Sequence, residues 1–181
     1  MLEELMMLDG NILLWIQEYL RVEPLTIILS FITHLGDKGI IWIVISLLLL
    51  IRKDTRRAGV MSLISLALCF CITNLFLKNL FSRIRPYEVV NGLELLIERQ
   101  KDFSFPSGHS ASSFASAVVF YKTLPKRYGF IILGTAFIIS LSRLYVGVHY
   151  PTDVIAGIMI GTITAIAVIM VQKRFFQSTL C

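Results

Sequence analysis

The sequence contains little charge for its length. Only 16% of its 181 residues are Asp, Glu, Lys or Arg, whereas a soluble domain carries about 25%. Hydrophobic residues make up 56% and the mean hydropathy is +0.76, which excludes a disordered chain as well as an ordinary soluble globule. Repeats, low-complexity tracts and long linkers are also missing, so we expect residues 1–181 to form a single domain.

Cysteine is scarce as well. The three cysteines, Cys69, Cys71 and Cys181, are an odd number and make no disulfide framework. The first ten residues, MLEELMMLDG, are acidic and lack the basic region of a secretory signal peptide. The net charge of +5 would indicate nucleic-acid binding in a soluble protein. Here the basic residues lie in short loops between apolar runs, so we expect a membrane protein with no nucleic-acid partner.

Long apolar runs are abundant. Four of them approach the roughly 20 residues that a spanning helix needs, namely residues 58–77, 103–121, 128–147 and 154–172. Two shorter runs, 24–36 and 39–51, are separated by Asp37 and Lys38 and predict either one bent crossing or two short ones. Upstream, residues 11–20 predict an amphipathic helix that lies in the membrane interface with Trp15 and Tyr19. The sequence therefore predicts an all-α, polytopic membrane helix bundle with an amphipathic N-terminal segment.

The loops carry charge unequally. Residues 52–57, 122–127 and 173–174 together hold nine of the seventeen basic residues and one acid, Asp54. The positive-inside rule predicts that these loops are cytoplasmic. Residues 78–106 and 143–153 then lie on the opposite, outer face, and three motifs occur there.

The first motif contains two cations, Lys78 and Arg85, followed by Pro86. A spacing of seven predicts two turns of helix, with both side chains pointing the same way. Two fixed cations suit a multiply charged anion, and Arg can hold a phosphate through two hydrogen bonds. The alternative is that they mark a helix end and meet lipid headgroups.

The second motif, Pro106-Ser107-Gly108-His109, opens a helix. Ser107 is a typical N-cap, Gly108 lets a ligand approach the backbone, and free N–H groups at a helix start bind anions. The alternative is an ordinary cap with a packing stripe of Gly108, Ser112 and Ser116. That alternative explains the small residues but not the histidine.

The third motif contains Arg143, His149 and Asp153. A charge within an apolar helix, such as Arg143, indicates function. An aspartate that hydrogen bonds one imidazole nitrogen leaves the other free to attack, although Asp153 could instead favour a helix N-terminus. Together the motifs predict a phosphate site with a nucleophile and an acid. Carboxylates and cysteines at metal-ligand spacing are not evident on this face, so we expect neither a metal nor another cofactor.

At these residues the sequence resembles the type 2 phosphatidic acid phosphatase family, within the superfamily that includes vanadium haloperoxidases. All eleven defined positions of the family pattern match. They are Lys78-x6-Arg85-Pro86, Pro106-Ser107-Gly108-His109 and Ser142-Arg143-x5-His149-x3-Asp153.

The resemblance implies a role for each motif residue. His149 would be the nucleophile that forms a phosphohistidine, Asp153 would orient it, and His109 would protonate the leaving oxygen and then help activate water. The phosphate oxygens would be bound by Lys78, Arg85, Ser107, Gly108 and Arg143. Arg83 is a further candidate for a phosphate or headgroup contact, and residues 87–105 are expected to shape headgroup access.

The resemblance also implies a fold, a substrate class and a location. It favours six membrane helices, with two crossings before Arg52, in the cell (plasma) membrane, and membrane lipids as the surroundings of the protein. The expected reaction is hydrolysis of a lipid phosphate or diphosphate on the outer face. We favour undecaprenyl diphosphate, with phosphatidylglycerophosphate or phosphatidic acid as alternatives. Hydrolysis of a soluble phosphate ester, haloperoxidase activity, and non-enzymatic lipid-phosphate binding or transport are the remaining alternatives.

Overall fold

The computed structural model describes residues 2–178, and every regular element in that range is a helix. Cys181 lies outside the described residues. Nine α-helices occur in that range: α1 (Leu2–Leu20), α2 (Glu23–Leu35), α3 (Ile40–Ile51), α4 (Lys53–Phe70), α5 (Lys78–Phe81), α6 (Pro86–Val89), α7 (Gly108–Thr123), α8 (Lys126–Tyr145) and α9 (Pro151–Ser178). A 3₁₀ turn, Asp37–Gly39, joins α2 to α3, and a π-helical stretch, Cys71–Leu77, continues α4 into α5.

Three stretches within residues 2–178 are long and apolar enough to cross a membrane: Lys53–Val89, Lys126–Tyr145 and Pro151–Arg174. α2 and α3 make a fourth if they form one broken span, with a bend of 46° between them. The break at Asp37 and Lys38 is therefore present as the sequence predicted, with a 46° bend, and both predicted arrangements of the first apolar runs contain it. An all-helical bundle is confirmed, but a count of six membrane helices is not.

Helix α7 is the centre of the bundle and packs against α4, α8 and α9. It begins at Gly108, where the second motif predicted a helix start, and the Ser107 side chain caps it. Its 16 residues reach about 24 Å, less than the roughly 30 Å of hydrocarbon in a bilayer. Its residues from Ala115 to Phe120 are all buried.

Small residues bring the neighbours of α7 close. A Cβ on Gly157 of α9 would lie 2.6 Å from the carbonyl oxygen of Ser107, and one on Gly161 would collide with that of Ala111. On the α4 side, the Ser62 hydroxyl donates to the Ser116 hydroxyl at 3.0 Å. These contacts show that small residues let α4 and α9 approach α7 closely.

Helix α1 includes the predicted amphipathic segment but is longer, since it begins at Leu2. Trp15 and Tyr19 are exposed, whereas Asp9 and Leu13 are buried against the bundle. The indole of Trp42, by contrast, is buried and donates to the Ser113 hydroxyl at 3.0 Å. α1 thus presents one face to its surroundings and places a buried carboxylate against the loops that form the site.

The chain leaves the helical path between the two cations of the first motif. α5 ends at Phe81, Ser82 adopts a left-handed conformation with φ 44°, and Arg85 is extended. The prediction that Lys78 and Arg85 lie two turns apart on one helix is therefore wrong. Their side chains meet at the Asp102 carboxylate after the chain turns, and helical periodicity does not align them.

Candidate active site

Lys78 and Arg85 converge on a carboxylate, that of Asp102. Arg85 donates from Nη2 to Oδ1 at 2.6 Å and from Nε to the Asp102 carbonyl oxygen at 2.9 Å. Lys78 forms an ion pair with Oδ2. Both cations are buried, whereas the Asp102 side chain is 52% exposed.

Sequence reasoning did not single out Asp102, although it lies in the 87–105 segment that we expected to shape headgroup access. Burial raises the pKa of its carboxyl, but Lys78 and Arg85 lower it by more, to about 2. The side chain is therefore ionised at neutral pH. It is an anion of this chain, held by the two cations that the motif resemblance assigns to phosphate.

The third cation, Arg143, lies in the last turn of α8 and is 1% exposed. Its Nη1 donates to the Thr33 hydroxyl of α2 at 2.6 Å. Its Nε is buried without a hydrogen-bond partner within the part of the chain that the structure describes. A buried guanidinium donor without a partner is costly and is typical of a group that binds a ligand.

His149 lies two residues before the start of α9 and is 1% exposed. Its Nε2 faces Arg85, with 3.5 Å between Nε2 and Nη1. Its Nδ1 lies 3.5 Å from Oδ2 of Asp153, yet it makes no hydrogen bond with any described residue. His149 and Asp153 are thus close neighbours, as predicted, but the expected hydrogen bond between Nδ1 and Oδ2 is absent from this structure.

Asp153 is held firmly by other groups. Its Oδ2 accepts from the backbone N–H of Tyr150 at 2.9 Å and from the Ser104 hydroxyl, and its Oδ1 accepts from Arg83 Nη1 at 2.6 Å. Its carbonyl oxygen accepts from the N–H of Ser107 at 3.0 Å, which ties the first turn of α9 to the start of α7. Asp153 therefore joins the second and third motifs.

Arg83 binds carboxylates of its own chain, and its predicted contact with a phosphate or headgroup stays a prediction. Its guanidinium binds Asp153 and, through Nη2, Asp9 of α1 at 2.8 Å, and it lies over the Tyr150 ring at 3.8 Å. Thr152 completes the cluster by donating to Asp9 from its hydroxyl and accepting from Arg83 at 2.7 Å. Two buried carboxylates attract the side chain inward, so its role here is to hold α1, the loop and α9 together.

The second motif forms the start of α7 as predicted. Ser107 is fully buried, and its hydroxyl accepts from the Ser110 N–H at 3.4 Å. A Cβ on Gly108 would lie 3.2 Å from Oδ1 of Asn74, so this glycine also makes room for a side chain of the π-helical stretch. His109 lies in the first turn, and its Nε2 is 2.9 Å from Oδ1 of Asp37.

The three motifs act on one another electrostatically. Burial lowers the pKa of His149 well below 6.5, and Arg85, Arg143, Lys78 and His109 lower it further. Four motif residues therefore lie close enough to His149 to change its proton affinity. The neutral imidazole is therefore favoured at neutral pH, and a free lone pair on Nε2 requires this neutral form.

Asp37 is the second carboxylate that sequence reasoning did not assign. A signal was available, since an acidic residue between two short apolar runs is a candidate functional residue. Within residues 4–174, whose side chains are described, no three His, Cys, Asp or Glu residues cluster as metal ligands. Metal-independent chemistry stays a prediction.

Comparison with known proteins agrees with the motif geometry. A family model described as PAP2 superfamily matches residues 58–177. An undecaprenyl-diphosphatase of Sulfolobus acidocaldarius is 35% identical over 144 residues, which cover 80% of this chain and 69% of that protein.

Two solved structures share the fold. LpxE of Aquifex aeolicus superposes with a TM-score of 0.79 at 26% identity, covering 88% of this chain and 93% of that one. A transmembrane PAP2-type phosphatidylglycerolphosphate phosphatase from Bacillus subtilis superposes with a TM-score of 0.77 at 27% identity, covering 93% and 86%. With the apolar helices α4, α8 and α9, these matches establish a multi-pass membrane protein. The chain belongs to the PAP2 superfamily, as its three motifs predicted.

Proposed function

We propose that this protein hydrolyses a lipid phosphate or diphosphate through a phosphohistidine formed on Nε2 of His149. The observation that carries the proposal is the environment of that nitrogen. His149 is buried, its proton affinity is lowered, and Nε2 faces Arg85, a cation suited to phosphate. The enzyme class, a lipid phosphatase, follows from membership of the superfamily and from relatives with phosphatase names.

In the first step the phosphate enters among the cations. Lys78, Arg85 and Arg143 bind its oxygens, and the orphaned Nε of Arg143 gains an acceptor. Ser107 and the N–H of Gly108 assist at the start of α7. Nε2 of His149 then forms a bond to phosphorus while the bond to the leaving oxygen breaks, and His109 gives that oxygen a proton.

In the second step His109, now neutral, takes a proton from water as the water oxygen attacks phosphorus. The N–P bond breaks, its electron pair returns to Nε2 of His149, and inorganic phosphate leaves. Asp153 stabilises the positive charge that His149 carries while it is phosphorylated, from 3.5 Å. Catalysis consists of positioning and charge stabilisation, as phosphoryl transfer requires. Neither step needs a metal ion or another cofactor.

The substrate is a lipid because the site lies at the ends of membrane helices. An acyl or polyprenyl chain can remain in the bilayer while the headgroup reaches the cations. Among lipid phosphates we favour undecaprenyl diphosphate, the substrate class named for the Sulfolobus relative. Phosphatidylglycerophosphate, named for the Bacillus structure, is the second candidate.

The proposed location is the plasma membrane with the site on the outer face. The basic loops at residues 52–57, 122–127 and 173–174 lie at the opposite ends of the helices from His149, and the positive-inside rule makes those loops cytoplasmic. A cysteine introduced beside the site, accessible to a membrane-impermeant thiol reagent in intact cells, tests this orientation.

The decisive experiment measures phosphate release by purified protein in detergent. The panel contains undecaprenyl diphosphate, phosphatidylglycerophosphate, phosphatidic acid and water-soluble phosphate esters. His149→Ala is expected to lose at least about 10³-fold in turnover while still binding lipid phosphate, and Lys122→Ala on the opposite face is the matched control. Unchanged turnover in His149→Ala contradicts the proposal, and binding without any phosphate release by the wild type supports a transport or lipid-binding protein instead.

A further inference from the structure

The Asp37 carboxylate contacts two imidazole rings, one through each of its oxygens. Its Oδ1 lies 2.9 Å from Nε2 of His109, and its Oδ2 lies 3.0 Å from Nδ1 of His34. All three histidines of the chain are therefore either in the proposed phosphate site or bound to a residue that contacts it. Asp37 is not part of the eleven-residue pattern.

The local backbone conformation places the Asp37 carboxylate beside the His109 ring. Asp37 begins the 3₁₀ turn at the 46° bend between α2 and α3, where Lys38 and Gly39 adopt positive φ values of 52° and 69°. Such a bend ends α2 at the level of the first turn of α7. Gly36 completes the approach, since a Cβ there would lie 2.6 Å from Cδ2 of His109.

We propose that Asp37 is a positioning residue for His109, an inference that rests on the acid role proposed above. By accepting from Nε2, the carboxylate keeps a proton on that nitrogen and leaves Nδ1 to exchange a proton with the leaving oxygen. It also stabilises the imidazolium form, which is the form that donates. His34 binds the second oxygen of the carboxylate and restricts its rotation.

Burial and the neighbouring cations both disfavour the protonated form of His109. Burial is the main cause that lowers the pKa of His109 to about 4; Arg143 and Lys78 lower it further, and the contact with Asp37 raises it. His149 is a further ionisable neighbour, but it is kept neutral. Asp37 is the carboxylate in hydrogen-bond contact with His109, and it counteracts part of the effect of burial and of the two cations.

The inference predicts a dependence on the leaving group. An alkyl alcohol is a poor leaving group, so its departure requires the proton that His109 supplies. Nitrophenolate leaves without protonation. Loss of proper proton donation must therefore slow hydrolysis of an alkyl phosphate far more than hydrolysis of p-nitrophenyl phosphate.

The test compares kcat for these two substrates in purified wild type, Asp37→Asn, Asp37→Glu and His109→Ala. Asp37→Asn is expected to lower kcat for the alkyl ester at least tenfold more than kcat for the nitrophenyl ester, and Asp37→Glu to recover part of that loss. The alkaline limb of kcat for the alkyl ester should also move to lower pH in Asp37→Asn, because the imidazolium has lost its anion and deprotonates more readily.

The His109→Ala variant distinguishes failure of the positioning role of Asp37 from failure of the acid role of His109. If His109→Ala shows the leaving-group dependence and Asp37→Asn lowers both substrates equally or neither, the positioning role is overturned and the proposed reaction is not. If His109→Ala lowers both substrates equally, the acid role itself is overturned, and this inference with it. Retained hydrolysis of the nitrophenyl ester by Asp37→Asn reports that the variant is folded.

Discussion

The Nη2 of Arg85 donates to Oδ1 of Asp102 at 2.6 Å, so a cation expected to bind the substrate phosphate already binds a carboxylate of its own chain. Lys78 pairs with the other oxygen of Asp102. A substrate phosphate must share or displace this carboxylate. Asp102→Asn should therefore strengthen binding of inorganic phosphate by about tenfold, or about 1.4 kcal/mol.

The measurement for Asp102 is the inhibition constant of inorganic phosphate in wild type and Asp102→Asn. A lower melting temperature without phosphate is also expected, because Lys78 and Arg85 are buried cations that lose their partner. Added phosphate should restore it. Weaker phosphate inhibition in the variant would show that Asp102 assists phosphate binding instead of competing with it.

The pH dependence of kcat/KM should reflect the environment of His149. Burial and three neighbouring cations lower its pKa well below 6.5, and the neutral ring is the attacking form. The acidic limb that belongs to His149 should therefore lie below pH 6.5. Lys78→Met, which removes one of the cations, should move that limb to higher pH on the same substrate, and an unmoved limb contradicts this assignment.

The lowered pKa of His149 also makes the stability of the protein depend on pH. Since His149 has a lower pKa in the folded than in the unfolded protein, the unfolded chain binds more protons below pH 6.5. The contribution of neutral His149 to the free energy of unfolding is therefore complete above pH 6.5. It is lost as the pH falls from 6.5 toward the pKa of His149 in the folded protein. Thermal unfolding in detergent should show a smaller acid-induced drop in His149→Asn than in wild type.

Arg83 stabilises the fold through two carboxylates, Asp9 and Asp153, which are 2% and 0% exposed. Arg83→Met leaves both without their cation, and breaking such a buried pair costs about 3 kcal/mol or more. We expect a clear fall in melting temperature. Arg99→Met is the matched control, since Arg99 is exposed and lies 5.9 Å from the Tyr87 ring; equal stability of the two variants would contradict the structural role of Arg83.

Gly161 sets the distance between α9 and α7. A Cβ there would collide with the backbone carbonyl of Ala111, which cannot move without shifting α7. Gly161→Ala should destabilise the protein by about 3 kcal/mol. Gly134→Ala on α8 is the control, since nothing lies within 4 Å of its added Cβ, and it should be neutral or stabilise by up to about 1 kcal/mol. Similar melting temperatures for both variants would show that α7 and α9 can separate freely.

The amino-acid sequence by itself determined the fold class, the family and the motif residues. Apolar runs as long as a bilayer is thick predict helices wherever they occur, because backbone hydrogen bonds must be satisfied within lipid. The helix start at Ser107 was equally predictable, since an N-cap acts through neighbouring atoms. Spacing within each motif was enough to assign the family.

Only the tertiary structure decided which charges meet. Asp37 and His109 are 72 residues apart, and Arg83 and Asp9 are 74 apart. Pairings of this kind depend on where helices cross, and no local pattern encodes them. The same reason explains the error at Lys78 and Arg85: helical periodicity predicted their common direction, but the left-handed Ser82 ends the helix, and Asp102 brings the two side chains together.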